Sequence, residues 1–114
     1  MIDISDSIFV YSTFVDMRKS INGLSILISL DGLVFDIGKA FVFFNKKRDK
    51  IKILVRENNG FMLLYKSLDE GIFKITFSSK NSFYITRQQL RWLLDGLDYK
   101  SLNPLRKPSA KHYF

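Results

Sequence analysis

The chain of 114 residues contains no cysteine and only one histidine. Without cysteine the protein can form no disulfide bond, no thiolate nucleophile and no zinc site built on cysteine. The single histidine, His112, lies in a basic stretch near the C-terminal end, and one histidine cannot supply a typical zinc ligand set. A general base also needs a fixed position, which such a stretch does not provide. We therefore expect neither zinc chemistry nor histidine-based catalysis.

Glycine-rich phosphate-binding motifs are also missing. The six glycines form neither GxGxxG nor GxxxxGK. The eleven acidic residues are scattered over predicted turns and helix ends, so no three carboxylates fall on neighbouring strands where they could hold metal ions. The sequence therefore predicts a protein that is not an enzyme and that uses no cofactor and no metal ion.

No stretch of the sequence has the length and apolar character of a membrane span. The most apolar region, residues 21–35, is interrupted by Asn22, Ser25, Ser29 and Asp31 and is too short to cross a bilayer. The first ten residues contain acids where a secretory signal carries basic residues. We therefore expect a cytoplasmic protein without membrane contact.

Apolar residues are abundant and are sufficient for one packed core. They make up 46% of the chain and include eleven Phe, five Tyr and one Trp. We expect a single domain over residues 1–98. Residues 99–114 contain both prolines, four basic residues and no acid, and we expect this tail to be mobile or to become ordered on a partner.

The spacing of apolar residues predicts both strands and helices. Strands are predicted at residues 7–11, 41–44, 50–56, 61–66, 72–77 and 83–85. A first helix is predicted over residues 14–30, with Thr13 and Asp16 as a capping box. A second helix follows the capping box of Thr86 and Gln89 and ends at Gly96.

These elements predict an α+β fold. We expect a largely antiparallel sheet of four to five strands, arranged as a β-meander, with the two helices packed on one face.

The positive charge is concentrated in the second part of the chain. Residues 1–36 contain two basic residues and five acids, whereas residues 37–114 contain sixteen basic residues and six acids. This asymmetry is typical of a protein with a basic face for a polyanion, although a charged surface can also serve solubility alone.

A predicted hairpin loop carries the densest group of cations. We predict a DNA-binding surface on this hairpin and on the basic residues expected near it, namely Arg18, Lys19, Lys46, Lys47, Arg48, Lys50, Lys52, Arg56 and Lys66. The alternative interpretation is an ordinary charged turn. The strand aromatics Phe41, Phe43, Phe44, Phe61 and Tyr65 could stack on unpaired bases, but strand aromatics more often fill a core.

Several motifs together resemble one protein family. The first motif is Asp16-Met17-Arg18-Lys19 followed by Gly23-Leu24, and the second is the FVF of residues 41–43 followed by the basic run 45–52. The third consists of Gly60-Phe61, Tyr65-Lys66, Leu68, Gly71 and Phe73. The fourth consists of Thr86, Gln89-Leu90 and residues 93–98. In this order and spacing the chain resembles the TnpB accessory proteins of insertion sequences of the sixty-six type. The sequence departs from the family pattern at Ser20, Asn22, Ser67 and Val55-Arg56, the last where the family tends to carry tryptophan.

The resemblance implies a helper protein encoded beside a separate DDE-type transposase. It suggests the transposase and a sister accessory protein of the same element as partners, and it offers no catalytic residues. DNA is expected as a partner from the basic hairpin together with this family context. Two functions remain open from the sequence. The protein binds DNA through its basic hairpin, or it is an adaptor that docks on the transposase or the sister protein without touching DNA.

Overall fold

The computed structural model describes residues 4–75 and 82–98. Along the chain the elements are β1 (Ile8–Val10), α1 (Ile21–Leu30), β2 (Ala40–Phe44), β3 (Lys50–Glu57), β4 (Gly60–Ser67), β5 (Phe83–Ile85) and α2 (Arg87–Leu94). The strands form one sheet in the order β4-β3-β2-β1-β5, in which only the β1–β2 pair is parallel. The predicted α+β class and the largely antiparallel sheet, with β2, β3 and β4 as a meander, are confirmed.

Both faces of the sheet are apolar, and each face packs against a different helix. On β2, Ala40, Val42 and Phe44 belong to one buried cluster and Phe41 and Phe43 to the other, because successive side chains point to opposite faces. The first cluster includes Leu90 and Leu93 of α2. The second includes Leu24 and Ile28 of α1. The prediction that both helices pack on one face is therefore wrong, since a sheet with two apolar faces needs a cover on each.

The first helix begins seven residues later than residue 14, the predicted start, because the preceding segment lies beside β2. The N–H groups of Tyr11 and Val15 donate to the carbonyls of Val42 and Phe44, each at 2.9 Å. Ser20 is the N-cap, and its side chain makes no capping bond. The predicted capping box of Thr13 and Asp16 is therefore wrong, whereas the predicted end of the helix at residues 31–32 is confirmed.

The predicted strand at residues 72–77 is also wrong in its described part. Residues 72–75 join no strand, and residues 76–77 lie outside the described residues. Phe73 and Ile75 are nevertheless buried in the α2-side core. The chain therefore fills the core here without pairing with the sheet.

The last two elements agree with the sequence. β5 pairs with β1, and the Thr86–Gln89 capping box opens α2. Gly96 has a φ of 83°, the left-handed conformation that favours glycine after a helix. Among residues 4–75 and 82–98, no helix is long and apolar enough to span a bilayer.

Candidate nucleic-acid interface

The tip of the β2–β3 hairpin is held in place by its own side chains. Asn45 Nδ2 donates to Asp49 Oδ1 at 2.6 Å, and the Lys50 N–H donates to Asn45 Oδ1 at 3.0 Å. The Asn45 amide, followed by the charge of Lys50, holds the pKa of Asp49 below its usual value. The carboxylate of the loop is thus engaged with Asn45 and Lys50 at the base of the loop.

Arg48 ties a distant segment to this hairpin. Its φ is 60°, the left-handed region that non-glycine residues rarely occupy, and its carbonyl accepts the Phe73 N–H at 2.7 Å. Its guanidinium Nη1 donates to the Ile75 carbonyl at 2.8 Å. Arg48 therefore builds the loop and anchors residues 73–75, and its half-buried side chain is committed to that role.

Lys46 and Lys47 are the two cations that the hairpin presents to solvent. Both are exposed, and neither forms an ion pair with a carboxylate in the described part of the chain. Lys50, at the start of β3, lies 3.4 Å from Asp49 and is partly neutralised by it. The tip therefore carries two unpaired positive charges side by side.

Lys52 lies under the segment that precedes α1. Its side chain is nearly buried, with 9% of the residue exposed, and its Nζ donates to the carbonyls of Met17 and Lys19 at 2.6 and 2.7 Å. The ammonium also lies 5.3 Å from the centre of the Tyr65 ring. Lys52 thus fixes residues 17–19 on the sheet and has little exposed surface to offer a ligand.

The segment fixed by Lys52 brings two further cations to the same end of the sheet. Lys19 is half-buried, and Arg18 is exposed over 92% of its side chain, with its guanidinium 2.6 Å from Asp16. The hydrogen bonds from Arg18 lower the pKa of Asp16 to about 2. Because β1 and β2 run parallel and both end here, Arg18 and Lys19 lie at the hairpin end of the sheet.

Of the two remaining predicted cations, Arg56 lies at the far end of the sheet, and Lys66 lies at the hairpin end but on the α2 face. Arg56 lies at the far end of β3, about 20 Å from Lys50 along the strand, with its guanidinium carbon 4.9 Å from the Phe61 ring centre. The Nζ of Lys66 donates to the Leu94 carbonyl at 2.7 Å, at the C-terminal end of α2. Lys66 thus lies on the α2 face, where a cation stabilises the negative end of the helix dipole.

One exposed cation at this end was missed by the sequence reasoning. Lys74 lies between Phe73 and Ile75, which dock beside the hairpin through Arg48. Its basic character was visible in the sequence, but no local pattern indicated that residues 73–75 fold back to the hairpin.

The aromatic side chains of β2 are buried. Phe41, Phe43 and Phe44 are each 2% exposed or less, so they fill the core and cannot stack on bases. Tyr65 and Tyr84 are exposed, at 53% and 57%. Within residues 4–75 and 82–98 no group of three His, Cys, Asp or Glu residues could hold a metal ion.

Comparisons with known proteins agree with the family motifs. A family model described as IS66 Orf2 like protein matches residues 6–104. An uncharacterized protein of Sinorhizobium fredii, y4jC, is 27% identical over 106 residues, which cover 90% of each chain. No solved structure matches. The family match spans most of the chain, and the protein therefore belongs to the IS66 Orf2-like family of insertion-sequence accessory proteins.

Proposed function

We propose that this accessory protein binds DNA through the hairpin end of its sheet. Lys46 and Lys47 form the centre of the contact, and Lys50, Arg18 and Lys19 flank them; these five residues are called the hairpin surface below. The observation that carries the proposal is the exposure of Lys46 and Lys47 on a loop whose only carboxylate, Asp49, is held by Asn45 and Lys50.

The chemistry of the hairpin surface favours contacts with phosphate. Lysine ammonium groups on a loop act as point charges, and binding to duplex DNA releases the counterions that the phosphates held. Neither an exposed helix nor an unpaired strand projects from this loop to read base edges. We therefore propose a sequence-independent contact that positions the protein on DNA.

Two predicted residues support this surface indirectly. Lys52 holds residues 17–19 and Arg48 holds residues 73–75, so both keep exposed cations at the hairpin end. Neither is proposed as a DNA contact.

Arg56 lies at the far end of β3. Lys66 lies opposite Ile51 at the hairpin end, but its Nζ is bonded to the Leu94 carbonyl on the α2 face. Neither residue is proposed as a DNA contact.

Replacing both tip lysines tests the proposal. Lys46→Gln with Lys47→Gln should weaken binding to every duplex sequence alike, and the slope of log affinity against log salt should fall by about 1.8, at about 0.9 for each lost contact. Fluorescence anisotropy with a labelled duplex at several salt concentrations measures both quantities.

The matched control removes two cations from the opposite end of the sheet. Lys39→Gln with Arg87→Gln gives the same change in net charge, and both side chains are exposed and weakly paired, with Asp36 and Asp6. This control should leave the salt slope almost unchanged. If the two double variants lose the same affinity and the same salt slope, DNA is attracted by the overall positive charge of the protein, and the hairpin surface is not the site.

A second candidate function is supported by a different observation. Ile26 and Leu30, four residues apart on α1, are 58% and 77% exposed and give the helix an apolar outer surface. Exposed apolar surfaces often mark protein interfaces. The adaptor function, with the transposase or the sister accessory protein as partner, would use this surface and would not need the hairpin.

A further inference from the structure

The strand β4 forms one edge of the sheet. It neighbours only β3, and within residues 4–75 and 82–98 no other strand pairs with its outer side. Its eight residues contain no proline, its pairing with β3 has no bulge, and its only charged side chain is that of Lys66. Proteins usually protect an edge strand by shortening it or by placing charges, proline or a bulge on it. The opposite edge, β5, has only three residues, whereas β4 is long and unprotected.

The backbone groups on the outer side of β4 follow from its pairing with β3. The Leu68 N–H donates to the Asp49 carbonyl at 2.8 Å, directly beyond the last pair of the two strands. Because hydrogen-bonded and non-hydrogen-bonded pairs alternate along antiparallel strands, the even-numbered residues of β4 bond to β3. The outward N–H and C=O groups, which have no hydrogen-bond partner among the described residues, are those of Phe61, Leu63 and Tyr65.

The side chains of β4 are apolar on both faces of the sheet. Phe61 and Leu63 pack on the α1 side, and Met62 and Leu64 pack on the α2 side. These four side chains are only half-buried, and Tyr65 is 53% exposed. The edge therefore presents unpaired backbone groups together with apolar surface, which is the combination that accepts an added strand.

The sequence of β4 is complementary to itself. A second copy, placed antiparallel by a two-fold axis at Leu63, brings the outward backbone groups of both chains together and keeps each face of the sheet on its own side. No two charges then lie opposite each other, and an aromatic pair forms on the α1 side. The opposed pairs are Leu63 with Leu63, Phe61 with Tyr65, Met62 with Leu64 and Gly60 with Lys66.

Other antiparallel registers are less favourable. A shift by two residues in one direction places Lys66 opposite Met62 and Phe61 opposite Ser67. The same shift in the other direction shortens the overlap to residues 60–64. A shift by one residue would place the α1 side of one copy against the α2 side of the other. The register centred on Leu63 is therefore selected.

We propose that two copies of this protein pair through their β4 strands in this register, so that the two five-stranded sheets become one continuous sheet. The three hydrogen-bonded pairs contribute about six backbone hydrogen bonds. The contact is small, so we expect a dissociation constant in the micromolar range. The two hairpin surfaces lie at opposite ends of the joined sheet and take no part in the pairing, which is therefore independent of DNA binding.

The oligomeric state of the full chain is the first test. Sedimentation equilibrium of nuclease-treated protein, from about 1 to about 300 µM, should show a reversible increase from the monomer mass of 13.3 kDa to twice this mass. A monomer over the whole range would overturn the proposal, whatever the result for DNA binding.

The absence of cysteine allows single spin labels to test the register. Asn59→Cys and Ser67→Cys place a label at exposed positions on either end of β4. In the proposed register residue 59 of one copy lies opposite residue 67 of the other, so both variants should give the same distance between labels, about 27 Å. A shift by two residues would give about 20 Å for one variant and about 34 Å for the other. Unequal distances would overturn the proposed register.

A proline variant tests the backbone contact. Tyr65→Pro removes an outward N–H and keeps the pairing with β3, because an edge strand accepts proline where its N–H faces solvent. Tyr65→Ala is the matched control, since it also loses the ring but keeps the N–H. We expect a dissociation constant about tenfold higher for the proline variant than for the alanine variant. Equal constants would overturn the proposal. The label distances are measured with Tyr65 intact and do not depend on the folding of the proline variant.

Discussion

An ammonium group is costly to bury unless other polar groups replace the water that it loses. Lys52 meets this condition because two carbonyl oxygens, of Met17 and Lys19, lie within 2.7 Å of its Nζ. Its hydrogen bonds join residues more than thirty positions apart in the sequence, so its contribution is to tertiary structure. The same residue keeps the exposed Arg18 at the hairpin end.

Replacing Lys52 should therefore cost stability that replacing a tip lysine does not. Lys52→Met keeps an unbranched chain but removes both charge-assisted hydrogen bonds, and we expect a loss of about 2 kcal/mol in the free energy of unfolding. Lys46→Met is the matched control, and exposed substitutions usually change stability by about 0.5 kcal/mol or less. Urea unfolding followed by the fluorescence of Trp92 measures both. A small loss for Lys52→Met would show that the hydrogen bonds barely exceed the cost of desolvation.

The sequence placed Lys52 correctly on one strand face and missed its role. The alternation along β3 predicts that Lys52 and Leu54 share a face, and both lie on the α1 side of the sheet. It cannot reveal that residues 17–19 cover the ammonium group, because that contact depends on where a distant segment packs. The use of Lys52 as a DNA contact remains a prediction that its burial does not favour.

At the scale of elements, two segments with the spacing of a capping box behave differently. Thr86 accepts the Gln89 N–H at 3.1 Å, and Gln89 Oε1 accepts the Thr86 N–H at 2.9 Å. At the first predicted box, Asp16 instead accepts hydrogen bonds from Arg18, and Val15 is bonded to β2. Local spacing therefore predicts a cap only where no neighbouring strand competes for the same backbone groups.

This difference gives a matched pair of substitutions. Thr86→Ala removes a capping bond and should lower the free energy of unfolding by about 1 kcal/mol. Thr13→Ala changes an exposed loop residue and should alter it by about 0.5 kcal/mol or less. Equilibrium unfolding of the two variants in urea provides the comparison. Equal losses would contradict the assignment of Thr86 as the working cap and of Thr13 as a loop residue.

The meander is the part of the fold that local signals determine best. The β2–β3 turn contains the polar run 45–49, and the β3–β4 turn contains Asn58 and Asn59, so short connections join neighbouring antiparallel strands. The parallel β1–β2 pair depends on a connection that includes α1, and its register has no local signal in the sequence. This explains why the sheet was predicted and the positions of the helices on its two faces were not.

At the scale of the whole molecule, the two ends of the sheet differ in how their cations are paired. The hairpin surface lies at one end, where β1, β2 and β4 finish and β3 begins. At the other end, Asp6 and Asp36 are paired with Arg87 and Lys39. A polyanion should therefore be attracted more strongly to the hairpin end, where Lys46 and Lys47 have no paired carboxylate among the described residues. The exposed side chains of Ile26 and Leu30 belong to α1, which covers one face of the sheet.

These two surfaces make the DNA-binding and adaptor functions separable in one experiment on the complete protein. The tagged chain is co-expressed with the transposase of its element and purified with and without nuclease, at low salt and at about 0.5 M salt, where phosphate contacts are strongly weakened.

If both proteins bind the same DNA, nuclease or high salt should release the transposase, and Lys46→Gln with Lys47→Gln should do the same. Ile26→Ser with Leu30→Ser should then have no effect, since these side chains lie on the outer surface of α1. The adaptor function would instead be established if the transposase stays bound after both treatments and is lost in the Ile26 and Leu30 variant. The reason is that an apolar contact survives a salt concentration that removes DNA.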